Sequence, residues 1–198
     1  MLICHAGVER GPELVTVLPK GTVVTVGVYD GVHRGHQAVL NRVRALADDI
    51  GAASGVVTFD PHPATIVRPD SAPMQLTSLD ERLSLIAALG IDIAYVVRFD
   101  VAASHESAVD FVHRVIVGSL AAQAVVVGDD FHFGYRRQGN VDLLREIGVA
   151  EGFVVHPVHL IGAHDGPVYS STEIRRAIAR GDFLEAERML GRPYQPGQ

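Results

Sequence analysis

Two histidines three residues apart, His33 and His36, lie inside the run Gly27-Val28-Tyr29-Asp30-Gly31-Val32-His33-Arg34-Gly35-His36. An imidazole pair at this spacing can ligate zinc, close a turn from a partly buried position, or meet an anion. The flanking sequence separates these readings. Before the glycines stands a β-branched apolar run, Val23-Val24-Thr25-Val26, which predicts a strand buried on both faces. After them, Val39, Val43, Leu46, Ala47 and Ile50 recur with the period of a helix with one buried face. The order is therefore strand, glycine turn, histidine pair, helix. It puts both imidazoles at a helix N-terminus, where unpaired N–H groups and the positive end of the dipole attract phosphate. Three residues apart on a helix, both rings share a face and can address one ligand. No third or fourth ligand follows at zinc spacing, so the sequence predicts no metal held by the protein itself.

Three further segments carry polar chemistry. Ser170-Ser171-Thr172-Glu173-Ile174-Arg175 reads as a capping box, with hydroxyls at a helix start and an arginine one turn in. A capped surface helix alone explains the Ser170–Glu173 spacing, yet the same hydroxyls, free N–H groups and planar guanidinium suit phosphate. Gly128-Asp129-Asp130-Phe131-His132-Phe133-Gly134 follows an apolar strand, and Asp60-Pro61-His62-Pro63 follows another. These are either turns anchored and stiffened by their aromatic and proline residues, or rigid apolar walls with a few polar contacts for a planar ligand. Arg136 and Arg137 are solvated charge or partners for a ligand phosphate. His105, His113, His156, His159 and His164 show no spacing pattern and read as structural or surface residues.

The Gly27–His36 run resembles the HxGH signature of the nucleotidyltransferase superfamily. In its longer form it is similar to the FAD synthetase (FMN adenylyltransferase) module of bacterial bifunctional riboflavin kinase/FAD synthetases. Ser170–Arg175 resembles the SSTxIR motif of the same superfamily. Gly128–Gly134 resembles the family's G-[ED]-[ND]-F-x-F-G segment, and Thr58-Phe59-Asp60-Pro61-His62-Pro63 its T-F-[DE]-P-H-P run. The resemblance covers residues 22–194 and implies transfer of AMP from ATP to FMN, giving FAD and pyrophosphate, with Mg2+ on the triphosphate. It implies catalytic roles for His33, His36 and Arg175, the histidines stabilising the α-phosphate while Ser171, Thr172 and Arg175 hold the outgoing pyrophosphate. Gly27, Tyr29, Asp30, Gly35, Asp130 and Ser170 would complete the ATP site. Phe59, Asp60, Pro61, His62, Pro63, Asp130 and Phe131 would form the FMN site. Tyr29 stands where phenylalanine is more usual and Asp130 where asparagine is common. Gly191-Arg192-Pro193-Tyr194 falls where the family's riboflavin kinase domain begins. The expectation is one adenylyltransferase domain over residues 1–198, without that kinase domain and with a separate riboflavin kinase as a possible partner. The same chemistry on another phosphorylated acceptor, or a nucleotide- or flavin-binding module without turnover, are the alternatives.

Positioning these groups requires a scaffold. Gly55–Phe59, Ile93–Phe99, Ala124–Gly128 and Gly152–Val158 read as apolar strands beside the one at Val23, with a further edge strand possible at Leu14–Leu18 between Pro12 and Pro19. Helices are expected after a capping box at Ser78-Leu79-Asp80-Glu81, burying Leu79, Leu83 and Ile86, and over Ser104–Leu120 with Phe111, Val112, Val115 and Ile116 inward. Others run from Asn140 to Ile147, from Ser170 to near Gly181, and from Asp182 to Gly191. A proline-dotted loop joins Asp60 to Met74, and a glycine-bearing loop spans His159 to Val168. Alternating strands and helices predict an α/β fold, a Rossmann-like parallel sheet of about five strands covered on both faces. In such sheets ligands lie outside the strand C-termini. The segments 27–36, 60–63 and 129–137 all follow strand C-termini, which argues for one shared site.

Composition bounds the answer. The 198 residues suffice for one sizeable core, and 47% hydrophobic with 20% charged residues is a globular balance. A net charge of −6 offers no broad basic surface for nucleic acid. One cysteine, Cys4, precludes an internal disulfide, and no signal peptide or membrane-length apolar run is read. A cytoplasmic protein binding neither membrane nor nucleic acid is expected.

Overall fold

The computed structural model describes residues 1–6, 20–159 and 169–194. Among these residues six strands form one sheet: β1 (Leu2–Ala6), β2 (Thr22–Val26), β3 (Ala53–Asp60), β4 (Ile93–Arg98), β5 (Ala122–Gly128) and β6 (Val154–Val158). Their order is β1-β4-β3-β2-β5-β6, with every pairing parallel. From β2 the chain steps outward through β3 and β4, then returns across the sheet to β5 and β6. The crevice between the C-terminal ends of β2 and β5 is thus a topological switch point, where diverging connections leave room for a ligand.

Helices α1 (Arg34–Ile50) and α2 (Pro63–Val67) are followed by α3 (Leu79–Ala88), α4 (Val101–Ser104) and α5 (Ala108–Phe111). Then come α6 (Val141–Glu151), α7 (Ser171–Ala179) and α8 (Phe183–Leu190). The two faces of the sheet are read from alternate strand residues. Val23, Val56, Ala94 and Val126 pack with Leu40 and Val43 of α1 and with Leu83 and Ile86 of α3. Their neighbours Val24, Val57, Tyr95 and Val125 pack on the other face with Phe111, Val112, Val115, Ile116 and Leu144. Helices α7 and α8 bury Ile174, Ala177, Ala186, Met189 and Leu190 as a smaller cluster, against Leu76 and Tyr169.

Four sequence expectations change. The sheet has six strands rather than about five, because Leu2–Ala6 adds a parallel edge beside β4. Leu2 and Ile3 are exposed, so this strand owes its form to the open backbone edge of β4 and not to a buried pattern of its own. The helix expected over Ser104–Leu120 is interrupted. Asp100 caps the short α4, Ser107 caps the restart at α5, and the chain continues from α5 as a π-helical segment, Val112–Ser119. The two caps give the backbone a local alternative to one unbroken helix; the inward residues are those expected. Pro63 begins α2 rather than lying in a loop, since its missing N–H costs nothing at a first helical position and His62 caps the turn. A 3₁₀ turn, Pro69–Ser71, follows within the expected loop. Finally, α6 runs on to Glu151 before Gly152 ends it at φ 83°. Leu14–Leu18, Pro12, Pro19 and residues 160–168, including His164, lie outside the described residues.

Candidate active site

Helix α1 starts at His33, whose Nδ1 accepts a hydrogen bond from the His36 amide at 3.3 Å. That bond leaves the imidazole proton on Nε2, so His33 is both a cap and a donor. The two rings stack with centroids 3.6 Å apart, and His36 also meets the Tyr29 ring at 4.8 Å. Burial, with the Arg175 charge second, lowers the His33 imidazole to about 4. The His36 imidazole is held well below its ordinary range by burial, then by His33 and by Arg82. Both rings are therefore neutral near pH 7 and act as hydrogen-bond groups, not as cations. Gly27 and Gly35 make the approach possible. A Cβ on Gly27 would lie 2.9 Å from the Tyr29 ring, and one on Gly35 would lie 3.1 Å from both the His33 ring and the Tyr169 carbonyl.

The turn carrying the histidines is strained, with positive φ at Tyr29 (56°) and Val32 (38°). Such backbone costs ~1–3 kcal/mol per residue and persists only where its surroundings hold it. A clamp centred on Asp30 does so. This carboxylate, 2% exposed, accepts from the Leu76 amide at 2.9 Å and the Thr77 amide at 3.1 Å, and pairs with Arg175. Arg175 Nε also donates to the Met74 carbonyl at 2.6 Å. Ser171 donates to the Asp30 carbonyl at 2.9 Å, and Arg192 to that of Gly31 at 2.7 Å. The start of α7 is in this way tied directly to the histidine turn.

The expected nucleotide residues thus divide by position. His33, His36, Gly35 and the α7 start converge. Asp30 is consumed inside the protein and positions Arg175 rather than facing a ligand; Tyr29 is buried, its hydroxyl 2.7 Å from Thr25 Oγ1. Ser170 caps α7 through the Glu173 amide at 3.2 Å, Ser171 serves the clamp, and Thr172 is exposed. Arg175 is oriented by two partners, and no described contact occupies its Nη1.

Beside the turn, at the C-terminal ends of β2 to β5, lies a cavity of about 580 Å³. Gly27 and Val28 form the side nearest the histidines, and Phe59, Pro63, Phe111, Phe131 and Phe133 supply aromatic and apolar walls. Phe131 and Phe133 stack with centroids 5.2 Å apart. Of the expected flavin residues, Phe59, Pro63 and Phe131 line this cavity, whereas Asp60, Pro61 and His62 do not. Asp60 and Pro61 are exposed, and His62 Nδ1 accepts the Ala64 amide at 3.0 Å as the cap of α2. Asp130 is exposed and outside the cavity, while Arg136 and Arg137 line it with positive φ.

One charged residue escaped the sequence reading. Arg82 of α3 is fully buried, donating Nη1 to Thr58 Oγ1 at 3.2 Å and to the Phe59 carbonyl at 3.1 Å. Its position was the available signal. It stands on the stripe of Leu79, Leu83 and Ile86, where a charge interrupts an apolar face. Among the described residues no group of three or more His, Cys, Asp or Glu is arranged to hold a metal, and no helix is long and apolar enough to cross a membrane.

The sheet order and the donor-rich helix start at its switch point define the class: a doubly wound α/β protein with a histidine and arginine cluster at two helix starts beside an apolar cavity. Residues 16–173 match the FAD synthetase family, and the chain belongs to that family. The bifunctional riboflavin kinase/FMN adenylyltransferase of Pseudomonas fluorescens is 42% identical over 176 residues, which cover 89% of this chain and 56% of that protein. The Escherichia coli K12 protein of the same name is 35% identical over 186 residues, covering 93% and 59% respectively. The chain thus spans less than two thirds of the length of these relatives. A solved structure described as a macrolide-efflux protein from Streptococcus pneumoniae superposes with a TM-score of 0.81 at 24% identity. It covers 98% of this chain and 61% of that one, and shows that the two share a fold.

Proposed function

We propose that this protein transfers AMP from ATP to FMN, forming FAD and releasing pyrophosphate. The observation that carries the reading is the adjacency of two differently built subsites. A histidine pair and an arginine converge at two helix starts, and an aromatic-walled cavity begins at Gly27, on the same turn. The cavity volume suits a tricyclic ring, and ligand sites of this size are mostly apolar with few oriented polar groups. Family membership and the relatives' names support the same reading.

In this mechanism an FMN phosphate oxygen attacks the ATP α-phosphorus in line. The bond from α-phosphorus to the bridging oxygen breaks, and the electron pair leaves with pyrophosphate. No covalent protein intermediate is needed, so catalysis consists of positioning and charge stabilisation. His33 donates through Nε2–H, and His36 and the free amides at the start of α1 add further hydrogen-bonding groups. Arg175, aimed by Asp30 and the Met74 carbonyl, supplies positive charge to the departing phosphates. Mg2+ would enter as part of the ATP substrate, supplying charge stabilisation on the triphosphate. FMN arises by phosphorylation of riboflavin, which makes a riboflavin kinase the expected partner, and the setting is cytoplasmic. Incubation with FMN, Mg2+ and ATP should yield FAD and pyrophosphate. Tight binding of both substrates without FAD formation would instead indicate a binding module, and failure of FMN with turnover of another phosphorylated acceptor would change the substrate.

A further inference from the structure

Arg82 is an expensive residue whose cost the fold does not explain. Its guanidinium is fully buried, and Nε and Nη2 have no acceptor among the described residues. No carboxylate among the described residues forms an ion pair with it, and the charges of Asp30 and Asp60 offset its burial only in part. Burying a cation with two unused donors costs stability, and replacement by an apolar side chain of similar size is often neutral or favourable. A purely structural staple between α3 and β3 needs no charge.

Its location accounts for the charge. Arg82 Nη1 holds Thr58 Oγ1, which in turn donates to the Val28 carbonyl at 3.0 Å in the glycine turn, and the same nitrogen holds the Phe59 carbonyl. Val28 and Phe59 both line the apolar cavity. The Arg82 charge also acts on both His36 and His62. The cation therefore lies beneath the seam where the histidine site meets the cavity. On the proposed reaction, this seam is where two anions, the acceptor phosphate and the triphosphate, must be pressed together. Arg175 serves the departing phosphates, and with both histidines uncharged in the free protein a buried cation at the seam adds a fixed charge against that repulsion in a low-dielectric setting.

We propose that Arg82 is a positioning residue whose buried charge offsets the repulsion between the two bound phosphates, so that each substrate can bind in the presence of the other. This rests on the adenylyl-transfer reading above. The test is a binding cycle by FMN fluorescence with Mg2+, with and without the non-reacting analogue α,β-methylene-ATP. The wild-type protein and the variants Arg82→Met, Arg82→Gln and Arg82→Lys are compared. In Arg82→Met and Arg82→Gln the analogue should weaken FMN binding at least about five-fold relative to its effect on wild type, within the usual range of coupling between sites. Binding of each ligand alone should change far less, and Arg82→Lys should restore most of the coupling. Thermal melting of the free proteins should show Arg82→Met as stable as wild type or more so. Unchanged coupling in Arg82→Met, or a uniform loss of both single-ligand affinities that lysine fails to rescue, overturns the proposal. If Arg82→Met does not fold, the Gln and Lys comparison decides alone. Wild-type protein that binds both ligands and makes FAD while these variants behave identically refutes the role of Arg82 only. Wild-type protein that binds neither FMN nor the analogue refutes the adenylyl-transfer reading as well.

Discussion

The clamp around Asp30 offers the sharpest quantitative test, because it joins the histidine turn to α7. Replacing Asp30 by Asn keeps an acceptor for the Leu76 and Thr77 amides, at 2.9 and 3.1 Å. It turns the oxygen facing Arg175 into a donor, so one charge-assisted bond is lost and two donors oppose each other. Hydrogen bonds to charged groups are worth ~1.5–3 kcal/mol. With Asp30 2% exposed and Arg175 18% exposed, solvent screens the pair little. The expected loss is therefore ~2–3 kcal/mol, which for a chain of this size lowers Tm by roughly 4–12 °C. Arg175→Met strands the Asp30 carboxylate instead, and the double variant removes both the charge and its partner. A cycle of urea unfolding on the two single variants and the double should return a coupling of ~1–3 kcal/mol. ATP affinity should fall in both single variants, because Arg175 loses its aim in one and is absent in the other. A coupling under ~0.5 kcal/mol, or full ATP affinity in Asp30→Asn, would refute the claim that this pair holds the two helix starts together.

Other outcomes test separate parts of the site. His36→Ala should lose ~10²–10³ in turnover while keeping the fold, as for removal of one donor to a developing charge; near-normal FAD formation excludes the assigned role. His33→Asn retains a capping acceptor, whereas His33→Ala also gives up ~1 kcal/mol of helix capping, visible in the melting temperature. The His33 imidazole sits at about 4 against an ordinary 6.5, so the unfolded chain binds more protons between those values. Its contribution to stability is complete above pH 6.5 and is lost on acidification to about pH 4, by ~3 kcal/mol. Urea midpoints at pH 7 and 4.5 should diverge less in His33→Asn than in wild type. Phe131→Ala should weaken FMN binding by ~1–3 kcal/mol, the scale of stacking on an aromatic ring, and leave ATP affinity intact; an equal loss of both would place Phe131 outside the flavin cavity.

Much of this molecule was legible in one dimension. The apolar run at Val23, the glycines that follow and the helical period from Val39 suffice for strand, turn and helix, because each is a local preference of the backbone. The capping boxes at Ser78 and Ser170 mark true helix starts for the same reason, a side-chain oxygen meeting an amide three residues ahead. Even the placing of segments 27–36, 60–63 and 129–137 at the C-terminal ends of β2, β3 and β5 follows from parallel strands, whose ends share a direction, although Asp60, Pro61, His62 and Asp130 stay outside the cavity. What the chain could not state in advance were relations between distant residues. Leu2–Ala6 becomes a strand only because β4 offers its edge. Asp30 reads as a ligand-facing carboxylate until the fold brings Leu76, Thr77 and Arg175 around it, 46, 47 and 145 positions away. The histidines lose their charge chiefly through burial, with the neighbouring His33 acting on His36 and the fields of Arg175 and Arg82, far away in sequence, adding to it. Residue type and period are set by short-range sterics, while protonation, clamping and buried charge depend on what packing brings within a few ångströms.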